Sequence, residues 1–460
     1  MKKQTIGSIA RFAEATLNHP ENADLPVRSV SIDTRTLDQG DIYMPIIGEK
    51  LDGHEFMDQA FRLGAVASFC DHSHAPADPS YRNYLLVNDT YRAFQKIAAN
   101  YRQSLDVHII GITGSNGKTT TKDIVSSVLR QRYRTTKTMG NLNNGIGVPR
   151  TLLDLDENTE FGVIEMGMSG LGEISELVRM ARPEVAVITN VGDAHLEQLK
   201  TRENIAKAKL EILEGMNASQ LFLYNSDNEI LRRAVEEREI LPKVRTFGTS
   251  PEADYRLQLV SANAGGTTFL VNGESWTTNL LGAYQIYNAA VAVILGRHYG
   301  LPNEEIRAGL QVADATQWRA QLEHFNGFDI FVDVYKSNPQ SLLEGMRTVE
   351  LLNGYRRKIA ILGDMLELGE NERRLHKEVG EKINPKVFDD VLFFGDLSRA
   401  MRDGALEHFD PSHVYHFERK QDLVDMAKYL IVQGTLVFIK GSRAMRLEEV
   451  VESLQSLAAR

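Results

Sequence analysis

The sequence predicts an α/β protein of three domains, with a parallel sheet in the central domain and a Rossmann-like α/β arrangement in the C-terminal one. Three observations predict it. The chain has 460 residues, too many for one compact domain at roughly 150 residues each. From Val107 onward, apolar runs of strand length alternate with helical stretches, which implies parallel strands joined by crossover helices. One of these strands feeds a Gly-rich turn that opens directly into a helix.

The elements follow in order. Residues 1–104 carry short β-like runs at Val27 to Ile32, Ile42 to Ile47 and Tyr84 to Val87. A loop follows from Asp71 to Arg82, marked by Pro76 and Pro79, and Thr90 to Ser104 has helical spacing. Residues 105–315 start with Val107 to Ile112, a nearly continuous apolar run of the kind found in strands buried on both faces. A helix is expected from Lys118 to Arg130, with further buried strands at Phe161 to Met166, Val185 to Thr189 and Gln220 to Tyr224. A short polar helix, Asn303 to Leu310, precedes a second boundary near Thr316. In residues 316–460 the strands are Ile330 to Val334, Lys358 to Leu362, Val391 to Phe394 and Leu436 to Ile439. No G-x-G-x-x-G turn follows any of them, so a dinucleotide site there is not supported.

Composition narrows the class. Apolar residues make up 42% and charged residues 25%, which is ordinary for a globular protein. The 52 basic and 62 acidic side chains leave a net charge of −10, which argues against a nucleic-acid partner or a basic membrane-surface protein. The lone Cys70 allows no intrachain disulfide and no cysteine-based zinc site, and suits a reducing compartment. Met1 to Ala15 lacks the apolar core of a secretory signal, and no window approaches a membrane span. A cytoplasmic protein is expected.

The sharpest local signal is Gly111-Ile-Thr-Gly-Ser-Asn-Gly-Lys118-Thr119-Thr120. Backbone N–H groups at a helix N-terminus make an anion site, lysine adds a point charge for phosphates, and a threonine hydroxyl can hold Mg²⁺. Strict phosphate-loop spacing would put glycine at position 112, where this chain has Ile112.

That variant, Thr113-Gly-Ser-Asn-Gly-Lys-Thr-Thr120, resembles the phosphate loop of the muramyl ligase family. The resemblance extends over most of the chain. Ser31-Ile-Asp-Thr-Arg35, Gly40-Asp41-Ile-Tyr43 and Leu51-Asp-Gly-His54-Glu-Phe56 look like the family's uridine-nucleotide domain. Gly140-Asn-Leu-Asn-Asn144 through Pro149, Glu165-Met-Gly-Met168 and Thr189-Asn-Val-Gly-Asp-Ala-His195 are similar to its central domain. Leu362-Gly-Asp-Met-Leu-Glu-Leu-Gly-Glu370 and Lys440-Gly-Ser-Arg-Ala-Met-Arg-Leu-Glu448 resemble the C-terminal domain of the branch that takes D-Ala-D-Ala.

The resemblance implies a UDP-muramoyl substrate domain at 1–104, a phosphate-loop ATPase domain at 105–315 and an amine-binding domain at 316–460. It implies a monomeric ligase using ATP and Mg²⁺ to join D-Ala-D-Ala to a UDP-N-acetylmuramoyl-tripeptide through an acyl phosphate. Gly114, Ser115, Asn116, Gly117, Lys118, Thr119 and Thr120 would hold the phosphates, Asn288 the adenine, Asp333 the ribose and Arg319 the γ-phosphate. Thr34, Arg35, His54, Asn141 and Asn144 would contact the uridine substrate. Thr119, Glu165, His195 and Lys209 would serve the metal, with Lys118, Lys209 and His195 as the catalytic set and Lys209 carbamylated. Plainer alternatives are a capping role for Glu165 and Asn288, a satisfied loop histidine at 195, a surface ion pair for Arg319 and a snorkelling Lys209.

Lys209 also stands out without the family. Thr201 is a plausible N-cap, and Ile205, Ala208 and Ile212 form an apolar stripe on a helix running toward Gly215. Lys209 lies on that stripe and Lys207 does not, and a lysine on a buried face is costly unless paired or neutralised. Three positions depart from the family pattern: Gly145 after the asparagine pair, Tyr284-Gln285 ahead of Asn288, and Lys336 where asparagine is usual. They leave open a divergent ligase using another amine. A regulatory nucleotide-binding homologue without turnover is a third reading, and the intact metal set argues against it.

Overall fold

The computed structural model describes residues 1–313 and 318–458; the expected boundary near Thr316 lies outside the described residues. Three sheets organise the chain, together with a two-stranded pairing of Gln4–Thr5 with Pro26–Val27. The N-terminal sheet runs Thr16–Leu17, Tyr84–Val87, Ala67–Asp71, Ile42–Tyr43, Val30–Ser31 in space. The expected single strand from Val27 to Ile32 is split between two pairings. Between them Arg28 donates its backbone N–H to Gly40 and grips the buried Asp41 carboxylate with two side-chain bonds of 2.9 Å, which turns the chain from one pairing to the other.

The central sheet has nine strands. Its parallel part is ordered Tyr255–Asn263, Lys243–Gly248, Leu221–Asn225, Val185–Ile188, His108–Thr113, Phe161–Glu165, Thr135–Lys137. The near-continuous apolar runs are explained by burial on both faces. Ile109, Ile164, Ala186 and Ile188 pack into one core with Ile174 and Leu177, while Ile110, Ile112, Val163 and Val187 pack into another with Ile124, Val128 and Ala289. The helix Gln285–His298 supplies much of the second core and is apolar almost all round, as befits a buried helix.

The expected parallel sheet is present in the central domain, and it carries an extension that the sequence reading did not include. Tyr255–Asn263, Gly266–Val271 and Glu274–Thr278 form an antiparallel extension. Its last turn is Asn272-Gly273, both residues at positive φ (50° and 84°), the backbone that a two-residue hairpin requires.

The C-terminal sheet is ordered Gln321–His324, Phe328–Asp333, Thr435–Lys440, Arg357–Gly363, Asp390–Phe394, Val414–Phe417, parallel apart from its first pair. In both larger sheets the loops that matter leave the carboxyl ends of central strands. Those ends flank the crevice where open α/β sheets place ligands.

Candidate active site

The site starts where His108–Thr113 ends. Gly114 (φ 150°) lies so close to Thr189 that a Cβ would sit 1.9 Å from its Oγ1, so only glycine fits. Gly117 (φ 81°) is the left-handed N-cap of the helix Lys118–Leu129, and no side chain caps it. The first N–H groups of that helix therefore face the crevice with the helix dipole behind them. The segment 189–192 braces the loop. Ser115 N–H donates to Asn190 O and Asn116 N–H to Asn190 Oδ1, both at 2.9 Å, and Thr189 Oγ1 donates to Asn116 O at 2.6 Å. Those two loop amides are thus spent on the scaffold. Lys118 reaches back across the loop to Gly114 O at 2.6 Å. Burial, with the Lys336 cation next in weight, pushes its amine down to about 8.

Glu165 ends the neighbouring strand and is buried. Its Oε1 accepts from Asn143 Nδ2 at 2.8 Å, whereas its buried Oε2 has no hydrogen-bond partner among the described residues and faces Lys122 Nζ at 3.9 Å. An orphaned carboxylate oxygen and the Thr119 hydroxyl, lining the same cavity, are a donor set of the hard, oxygen-rich kind that Mg²⁺ takes. His195 is held at φ 65°, and its Nε2 lies 3.2 Å from Lys336 Nζ. Burial and the surrounding cations Lys336, Lys118 and Lys209 push its pKa down to about 3.

Lys209 closes the helix Arg202–Lys209, whose N-cap is Thr201 as expected, its side chain accepting from Asn204 N. The helix does not continue to Gly215; the chain tightens into a 3₁₀ turn at Leu210–Leu213. Ile205, Ala208, Ile212 and Lys209 are buried and Lys207 is exposed. Among the described residues no hydrogen bond or ion pair engages the Lys209 amine. Burial first, and then Lys118 and Lys336, hold its pKa well below the ordinary lysine value. An amine whose charged form burial disfavours is chemically able to take up CO₂ as a carbamate.

The C-terminal domain supplies the facing wall. The Arg319 guanidinium stacks on Tyr335 at 4.1 Å from the ring centroid, and its buried Nε has no hydrogen-bond partner among the described residues. Asp333 pairs with the buried Lys440, which also donates to Lys336 O at 3.0 Å. Asn338 Nδ2 donates to Asn116 Oδ1 at 2.8 Å, tying the phosphate loop to the opposite domain. Together these groups enclose a cavity of about 910 Å³. Ser115 to Thr120, Asn141, Asn144, Glu165, His195, Asn288, Arg319 and Asp333 all line it.

The other candidates sit elsewhere or are engaged. Gly114, Lys209, Thr34, Arg35 and His54 are not part of the lining. Arg35 is exposed and folded onto Asp33 at 2.7 Å. His54 is buried, with Nδ1 on Asp52 at 2.7 Å and Nε2 accepting from Asp71 N at 3.3 Å, so neither ring nitrogen is free for a nucleotide. Asn288 is no helix cap. It lies inside its helix, accepting from Thr121 Oγ1 at 3.1 Å and donating to Gln285 Oε1 at 2.9 Å. Sequence reasoning passed over Asn143 and Lys122. Lys122 stands one helical turn after Lys118, a spacing that placed it on the Glu165 side of the helix.

Comparison with known proteins agrees with this layout. Residues 26–102 match the Mur ligase family, catalytic domain; residues 112–296 match the Mur ligase middle domain; residues 318–443 match the Mur ligase, glutamate ligase domain. The UDP-N-acetylmuramoyl-tripeptide–D-alanyl-D-alanine ligase of Bacillus subtilis (strain 168) is 40% identical over 457 residues, 99% of each chain. That of Escherichia coli (strain K12) is 32% identical over 95% of each chain. A crystal structure of MurF from Acinetobacter baumannii shares the fold with a TM-score of 0.89 over 99% of both chains, at 24% identity. MurF ligase from Thermotoga maritima in complex with ADP superposes with a TM-score of 0.82, at 27% identity, over 94% of this chain and 97% of that one. This chain belongs to the Mur ligase family.

Proposed function

We propose that this chain joins D-Ala-D-Ala to a UDP-N-acetylmuramoyl-tripeptide with conversion of ATP to ADP and phosphate. The single observation that carries the reading is the cavity in which the phosphate loop and Glu165 face Arg319, Asp333 and Lys336 of the opposite domain, in a chain alignable end to end with such ligases. Residues 1–104 serve the uridine substrate, 105–315 the ATP and 316–460 the amine. Thr34, Arg35, Asn141 and Asn144 are the uridine-side contacts, with His54 bracing that domain from within.

The tripeptide carboxylate attacks the γ-phosphoryl group, giving an acyl phosphate and ADP. The dipeptide amine then adds to the acyl carbon, and the tetrahedral adduct expels phosphate as the amide forms. Little covalent chemistry falls to the protein; positioning and charge stabilisation dominate. The Lys118–Thr120 helix start holds the β- and γ-phosphates, and Arg319 offers a guanidinium fork to the transferring group. Asn288 and Asp333 orient the adenosine. Thr119, Glu165, His195 and a carbamylated Lys209 would hold Mg²⁺, which would supply neutralisation of phosphoryl charge there. Domains in contact around the cavity exclude water from the acyl phosphate. The protein acts as a monomer in the cytoplasm; no described helix is long and apolar enough to cross a membrane.

Lys336, which replaces the usual asparagine beside His195, favours a second reading in which the amine is a different dipeptide or amino acid. A phosphate-release assay with UDP-muramoyl tripeptide and a panel of amines decides. Release that requires both the tripeptide and D-Ala-D-Ala supports the first reading. Equal or faster release with a single amino acid moves the assignment to the second.

A further inference from the structure

The segment after the strand Arg357–Gly363 puts one carboxylate over His195 in an unusual way. Glu367 has a φ of 66°, left-handed backbone that a long side chain seldom adopts without support. Its neighbours supply the support. Met365 N–H donates to His376 Nε2 and Leu366 N–H to Ser442 Oγ, both at 2.9 Å, and Ser442 N–H returns to Asp364 O at 3.0 Å. His376 is wholly buried, its Nδ1 on Glu372 O at 2.7 Å, which leaves Nε2 as the acceptor. From the central domain, Glu197 N–H donates to Glu367 O at 3.3 Å. The backbone at Glu367 is therefore pinned from both domains.

The side chain is not. Its Oε2 lies 3.5 Å from His195 Nδ1 and 3.8 Å from Lys336 Nζ, and no hydrogen bond engages the carboxylate among the described residues. Lys336 gives its bond to His195 instead, at 3.2 Å. The other carboxylates lining the C-terminal side of the cavity and its rim are committed, and Glu165 belongs to the phosphate-loop side. Asp333 holds Lys440, Asp227 accepts from Thr249 and Tyr287, Glu173 accepts from Ser169 N, and Glu344 holds Arg347. A half-exposed carboxylate that no hydrogen bond engages, 3.8 Å from a lysine ammonium that bonds His195 instead, has an open position for one further cationic donor.

We propose that Glu367 receives the primary ammonium of the incoming amine substrate and orients its nitrogen toward the His195 edge of the cavity. This rests on the reading of the chain as an amide-forming ligase, and not on which amine it uses. Every amine accepted by such an enzyme arrives largely as an ammonium at neutral pH, and a charge-assisted bond to a fixed carboxylate sets the nitrogen's position before attack. The contact exists only when the C-terminal domain rests on the His195 loop.

The test separates amine binding from phosphoryl chemistry. In Glu367→Gln, KM for the amine should rise at least tenfold, while KM for ATP and for the UDP-tripeptide stays within twofold. Positional isotope exchange in oxygen-labelled ATP, run with UDP-tripeptide and no amine, should continue at the wild-type rate. Glu370→Gln, an exposed neighbour in the following turn, should leave all three KM values unchanged. Glu367→Gly relieves the backbone and removes the carboxylate, so it should match the Gln variant in amine KM without losing thermal stability. An amine KM unchanged in both variants would overturn the proposal, as would isotope exchange that falls in step with turnover. If the wild type turns over an amine other than D-Ala-D-Ala, the substrate assignment fails, and the same KM comparison on that amine still decides the role of Glu367.

Discussion

Gly117→Ala tests the phosphate loop with one methyl group. Two costs fall on that methyl. At φ 81° an L-residue is strained, by roughly 1–2 kcal/mol. A Cβ there would also sit 2.5 Å from Asn288 Oδ1, so Asn288 must move. Its bonds to Thr121 and Gln285 are then stretched or lost, at about 1 kcal/mol each. The sum is about 3–4 kcal/mol with both bonds lost and about 2 kcal/mol with both only stretched, relieved only by displacing the loop from the geometry that points its amides at phosphate. Calorimetric titration with ADP should show affinity weakened by about 30-fold or more, taking about 1.4 kcal/mol per factor of ten. Gly300→Ala is the matched control. Gly300 has a φ of 77° with nothing within 4 Å of the added Cβ, so it carries the backbone strain alone, far from the cavity. It should lower the melting temperature slightly and leave ADP affinity untouched. A Gly117→Ala protein that binds ADP within threefold of wild type would refute the reasoning.

Other outcomes follow from the same geometry. Lys118→Ala should cost at least 10²–10³ in turnover, the scale for removing one preorganised charge from a transition state, and retention of a tenth of the activity would exclude the assigned role. Lys209→Ala should lose nearly all activity and regain part of it with acetate or propionate but not with methylamine, while Lys207→Ala stays near wild type; rescue by amines alone would reverse the assignment. For His195, the pKa in the fold is about 3 against an ordinary 6.5. Below pH 6.5 the unfolded chain therefore binds a proton that the folded one refuses. The stability concerned is complete above pH 6.5 and is lost as pH falls toward 3, at up to about 1.4 kcal/mol per pH unit. Melting temperatures of wild type and His195→Gln, measured in metal-free buffer from pH 7 to 4, should converge as the pH drops; a constant gap would mean that His195 titrates normally.

The sequence by itself determined the parallel cores and the phosphate loop. Runs such as Val107 to Ile112 are apolar at every position because both faces are covered, and Gly114 and Gly117 stand where their backbone or close neighbours exclude a side chain. The burial of Lys209 was likewise legible from helical spacing, since a lysine in phase with Ile205 and Ile212 has nowhere to point but inward. Even the hairpin at Asn272-Gly273 left a local signal, though its strands are too polar to stand out against the buried ones. Tertiary structure decided which polar atoms remain unsatisfied, because a hydrogen bond depends on neighbours that spacing does not reveal. His54 and Glu367 mark the two sides of that limit. His54 sits in a motif that suggests a ligand contact, yet Asp52 of its own turn and the Asp71 amide from a separate strand use both of its nitrogens. Glu367 sits in a segment where nothing singles it out, and it acquires an open carboxylate over His195 only because two domains, distant in sequence, pin its backbone in the left-handed region.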